Sequence, residues 1–73
     1  MNNTLDFYLE KYYRIEIEAI PEEEGGGFVA RLPQFGHSGI IAVGDTPEEA
    51  MKELEKVKVL RFKQYLDRGD EIP

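Results

Sequence analysis

No cysteine and no tryptophan occur among these 73 residues, and there is a single histidine, His37. Without thiols, neither a disulfide staple nor a thiolate metal site can form. One imidazole leaves no histidine cluster for zinc. No metal or cofactor is therefore expected. No apolar run approaches the ~20 residues that a bilayer span needs. Met1-Asn2-Asn3-Thr4 lacks the basic and apolar regions of a secretory signal, so a cytoplasmic location is expected. Basic side chains are also in short supply, 9 Lys and Arg against 15 Asp and Glu, for a formal net charge of -6. Such a surface repels phosphate and disfavours direct contact with nucleic acid or an anionic membrane. It suits a basic partner, although negative charge also serves plain solubility.

What is present fits one small domain. A chain of this length buries only about 60% of the surface it exposes when unfolded. With no staple available, self-association is the ordinary remaining support. Residues 4–11 are open to two readings: a short helix capped by Thr4, with Leu5, Tyr8 and Leu9 at helical spacing, or an extension into the first strand. The helix is the reading adopted. From Tyr13 to Ile20, Tyr13, Ile15, Ile17 and Ala19 alternate with Arg14, Glu16 and Glu18. Period two marks a strand with one face expected in the core and one in water. Pro21 ends it. Glu22, Glu23, Glu24 and Gly25-Gly26-Gly27 form a polar turn into a second strand, Phe28 to Leu32, giving a hairpin. Pro33 to Ser38 is a loop. Gly39 to Gly44 is a third strand, apolar on both faces.

The helix start is the clearest local signal. Thr46-Pro47-Glu48-Glu49 is a capping box with proline at the first helical position. The threonine oxygen is expected to accept from the Glu49 N–H, and Glu49 to reach back to the Thr46 N–H. Asp45, Glu48 and Glu49 favour the positive end of the helix dipole. The helix should run to Asp67 or Arg68, with Gly69 as C-cap. At about 100° per residue, Ala50, Met51, Leu54, Val57, Phe62 and Tyr65 make one apolar arc that should lie on the sheet. Val59, Leu60 and Leu66 fall outside it or at its margins.

Several patterns invite a chemical reading. The three glycines lack the Lys-Ser/Thr of a phosphate loop and join strands rather than open a helix, so a turn is preferred. The helix N-terminus already holds three carboxylates and would repel an added phosphate. His37 beside Ser38 comes with no identifiable acid or oxyanion donor. Clustered carboxylates such as Glu16, Glu18 and Glu22–Glu24 hold Mg²⁺ in some nucleases, but those converge from separate elements. Here they are read as a solvated acidic surface, available for recognition.

Three segments together carry a resemblance: Tyr13-x-Ile15-x-Ile17, then Gly26-Gly27-Phe28-Val29-Ala30-x-Leu32-Pro33, then Gly44-Asp45-Thr46-Pro47-Glu48-Glu49-Ala50. In this order they resemble the N-terminal domain of the HicB-like antitoxin family, over roughly residues 12–73, and the ending from Gly69 to Ile72-Pro73 is similar too. The resemblance implies a βββα fold of partly degraded ribonuclease H-like type. It also implies an antitoxin that binds a small basic HicA-like toxin ribonuclease and masks its active surface. Complete members usually carry a C-terminal DNA-reading module; the chain stops at Pro73 without one, and no operator binding is expected. The loop Gln34-Phe35-Gly36-His37-Ser38-Gly39 departs from the usual family version.

The resulting expectation is a single α+β domain, an N-terminal extension over 1–11 and a βββα core over 12–73. It is a binding module rather than an enzyme. Candidate partner contacts are Glu16, Glu18, Glu22, Glu23 and Glu24, standing in for RNA phosphates. A homodimer is expected, with Val59, Leu60, Leu66 and Ile40 as candidate interface. The alternatives are a degenerate metal-dependent nuclease and a stand-alone domain with another protein partner.

Overall fold

The computed structural model describes residues 4–36 and 39–73. His37 and Ser38, named above, lie outside the described residues. The chain forms helix α1 (Thr4–Glu10), strand β1 (Glu16–Ala19), a 3-10 turn (Glu22–Glu24), strand β2 (Phe28–Arg31), a second 3-10 turn (Pro33–Phe35), strand β3 (Ile41–Gly44) and helix α2 (Pro47–Arg68). The strands make a three-stranded antiparallel sheet in the order β1-β2-β3. Thr4 lies inside α1 rather than before it.

Two glycines set how closely the pieces approach. A Cβ on Gly27 would stand 2.8 Å from the Gly44 carbonyl oxygen, and one on Gly44 would stand 2.5 Å from the Ala50 nitrogen. Gly27 also holds φ +86°, a left-handed value that only glycine adopts freely. Gly26, likewise at positive φ, belongs to the same turn, whose N–H groups bond back to Pro21 and Glu22. The hairpin therefore closes against the β3–α2 junction, and α2 starts directly on the end of β3.

The capping box forms, with one difference. Thr46 Oγ1 accepts from the Glu49 N–H at 3.1 Å, as expected. The Glu49 carboxylate accepts from Asp45, at 3.1 Å, and not from Thr46. It overshoots the cap by one residue and ties α2 to the strand it leaves. At the other end Gly69 is left-handed, φ 76°. Its N–H donates to the Leu66 carbonyl and that of Asp70 to the Tyr65 carbonyl, the paired bonds of a Schellman ending.

The core comprises Tyr13, Ala30, Leu32, Ile40, Ala50, Leu54, Phe62 and Ile72. Phe62 lies at its centre, with Tyr8, Tyr13 and Phe35 rings within 6.4 Å between centroids. The tail returns to this core: Ile72 is buried, and the Tyr13 hydroxyl donates to the Pro73 carbonyl at 2.7 Å.

Three expectations about burial need correcting. Helix α2 packs on β3 and β2 and hardly touches β1. Ile17 and Ala19, on the side of the sheet that faces the helix, consequently remain exposed, although their alternation pointed to the core. Met51 is exposed as well, while Lys58 is buried. Lys58 lies one turn from Leu54 and one from Phe62 on the buried face of the helix, and its ammonium reaches Glu55 at 3.1 Å, as long amphipathic side chains commonly do. Ile40, proposed above for an oligomer interface, is 0% exposed. It sits just ahead of β3, its carbonyl accepts from the Leu32 N–H, and it is spent on the chain's own core.

Candidate interaction surfaces

The sheet has one face under α2 and one open. Register decides which residues share the open face. Glu16 pairs with Arg31 and Glu18 with Val29; Val29 pairs with Val43 and Arg31 with Ile41. Glu16, Glu18, Val29, Arg31, Ile41 and Val43 therefore lie together on it. Arg31 is the residue that the sequence reading passed over. Its guanidinium is 2.8 Å from Glu18 and 4.0 Å from Glu16, with the arginine side chain only 8% exposed. Arg14 adds a second cation 3.6 Å from Glu16. The two carboxylates expected to form a bare acidic face are thus largely balanced by arginines. The signal for this was present, since Arg31 stands directly across from Glu16 once the hairpin register is fixed.

Glu22, Glu23 and Glu24 behave differently. They form a short 3-10 turn at the tip of the hairpin and are all exposed. Among the described residues no lysine or arginine pairs with them. The structure thus splits the expected acidic site in two: a neutralised patch on the open sheet face and an uncompensated acidic tip.

The proposed interface residues also separate. Leu66 packs on the core and Val59 is half-buried, while Leu60 is 57% exposed. An open recess of about 340 Å³ lies beside β3, lined by Val43, Gly44, Asp45, Glu49, Lys52 and Glu53. A second, of about 470 Å³, lies between α1 and the tail, lined by Tyr8, Leu66, Asp70, Glu71 and Ile72. Among the described residues no three or more His, Asp or Glu side chains come together as metal ligands, and no helix is long and apolar enough to cross a membrane.

The pKa of Tyr13 is displaced. Burial of the Tyr13 phenol raises it above the ordinary tyrosine value, and the neighbouring Tyr8 adds to the effect. The hydroxyl is engaged with the Pro73 carbonyl and is placed to hold the tail rather than to react.

Comparison with known proteins returns no matching family model, no matching curated protein and no matching solved structure.

Proposed function

We propose that this chain is a HicB-like, antitoxin-type binding module that covers the RNA-binding surface of a small basic toxin ribonuclease. The resemblance in the hairpin and helix-start segments motivates the reading. The observation that carries it is the acidic tip. Among the described residues, Glu22, Glu23 and Glu24 stand exposed and without a basic partner on a 3-10 turn, where they present carboxylates at short spacing much as an RNA backbone presents phosphates. Electrostatic contacts of this kind act mainly through the rate of encounter and weaken as salt screens them.

The test is co-expression with a basic HicA-like toxin, followed by copurification and RNA-cleavage assays. The native chain should be retained with the toxin and should suppress cleavage. Changing Glu22→Lys, Glu23→Lys and Glu24→Lys together should slow association and flatten its salt dependence. A complex indifferent to both would place the contact elsewhere. Cleavage of RNA by this chain alone with Mg²⁺, lost in Glu18→Gln, would overturn the binding-module reading in favour of a nuclease.

A further inference from the structure

The two edges of the sheet are not equivalent. Hydrogen bonding in an antiparallel pair alternates between bonded and non-bonded residue pairs. The Leu32 N–H bonds to the Ile40 carbonyl, so within this register Ala30–Ala42 and Phe28–Gly44 are the bonded pairs. The N–H and C=O groups of Ile41 and Val43 then point away from the sheet. On the other side the Ile20 N–H bonds to the Gly27 carbonyl, which turns those of Ile17 and Ala19 outward at β1.

Edges that must not pair are usually guarded by charge or proline. β1 is guarded. Two copies of β1 laid antiparallel about a two-fold axis set Glu18 against Glu18, or Glu16 against Glu18, on one face. Such a pairing crowds carboxylates against their own kind, which is destabilising, and charged side chains guard an edge even where each is ion-paired within its own sheet, as Glu16 and Glu18 are with Arg31. β3 has no guard: Ile41-Ala42-Val43-Gly44 holds neither charge nor proline, and Val43 is 59% exposed.

We infer that β3 is a homodimer interface, at which a second copy of this chain adds its own β3 antiparallel about a two-fold axis through Ala42. In this register Ile41 of each copy lies opposite Val43 of the other on the open face, and Ala42 faces Ala42. Two three-stranded sheets become one of six strands. The flank of α2 beside this edge is matched to a copy of itself. Glu49, Lys52 and Glu53 border β3 together with Val43 and Gly44. Lys56 continues the same stripe at helical spacing and already reaches Glu53 at 3.3 Å. Along the stripe the charges read Glu49, Lys52, Glu53, Lys56. Reversal by a two-fold axis sets Glu49 against Lys56 and Lys52 against Glu53, each acid against a base. Closed two-fold pairing is the usual outcome for a self-complementary surface. This inference does not depend on the toxin reading.

Sedimentation equilibrium of the full chain across a hundredfold range of concentration tests it, together with amide hydrogen exchange. A mass approaching twice that of the chain is expected at the upper end, with exchange at Ile41 and Val43 slowing as concentration rises. Exchange at Ile17 and Ala19 should not change. Val43→Glu, at an exposed position, should give the monomer mass with an unchanged circular dichroism spectrum. Ile17→Glu, on the guarded edge, should leave the dimer intact. A monomer mass throughout overturns the inference. So does a dimer that survives Val43→Glu, or one lost with Ile17→Glu alone, which would move the contact to β1. Capture of a strand from another protein at β3, without self-association, would also overturn it.

Discussion

Phe62 is the largest fully buried side chain among the described residues. It is 0% exposed and meets the rings of Tyr8, Tyr13 and Phe35, so it joins α1, the approach to β1, the second turn and α2. Phe62→Ala should cost about 3–5 kcal/mol, the usual toll of emptying an aromatic site. Domains are commonly stable by only about 5–15 kcal/mol, so the variant should be close to unfolding; urea titration by circular dichroism measures it. A loss below about 1 kcal/mol would mean that the cavity collapses or that the rings do not converge. Tyr13 gives a pH signature. Its folded pKa lies above the unfolded one because burial penalises the phenolate. The unfolded state therefore sheds the proton first, and by linkage stability falls as pH rises past about 10. Tyr13→Phe should remove that alkaline contribution. At neutral pH it should cost about 1 kcal/mol for the bond to Pro73. Identical alkaline slopes in the two proteins would show that Tyr13 is not the group responsible. Ile40 and Lys58 mark the limit of reading residues by type. By residue type Ile40 counts among the interface candidates and Lys58 stays out of the apolar arc, yet neighbours from β2 and the helix's own Glu55 decide both.

The elements were largely legible, because each announces itself locally. Proline at Pro21, the glycines at 25–27, the Thr46 cap and Gly69 bound the hairpin and the long helix much as the chemistry of turns and caps requires. Thr46→Ala should cost about 1 kcal/mol. For a domain of this size that is roughly 4–8 °C in melting temperature, read in a thermal scan. An unchanged melting temperature would mean that Pro47 and the Glu49–Asp45 bond fix the helix start without the threonine. Position proved harder to read than type. The alternation in β1 was plain, but whether Ile17 and Ala19 become buried depends on which strands the helix covers. The helix settles on β3 and β2, with Gly44 and Ala50 in close approach across the β3–α2 junction. The charge balance of the open sheet face was missed for a related reason. Glu16 and Glu18 were visible as a pair, but their neutralisation by Arg31 required the hairpin register.

At the scale of the whole molecule, the uneven placement of α2 divides the sheet. β2 and β3 lie under the helix, while β1 is held by its ladder to β2 and by Tyr13 at its approach. Local openings follow the distribution of buried contacts, and thinly covered elements open without global unfolding. The amides of Glu16 and Glu18 point toward β2, in the bonded pairs with Arg31 and Val29. Those of Ala30 and Ala42 join β2 to β3 beneath α2. Native-state hydrogen exchange should therefore report a lower opening free energy for Glu16 and Glu18 than for Ala30 and Ala42. In low urea the first pair should respond weakly, since a local opening exposes little surface, and the second should fall with the full slope of global unfolding. Ile17→Val, which trims an exposed side chain, should leave both sets unchanged. Phe62→Ala should lower the Ala30 and Ala42 values toward those of β1. Equal free energies and equal urea slopes at all four amides would show that β1 opens only with the rest of the sheet. The helix would then stabilise all three strands as one unit despite covering two of them.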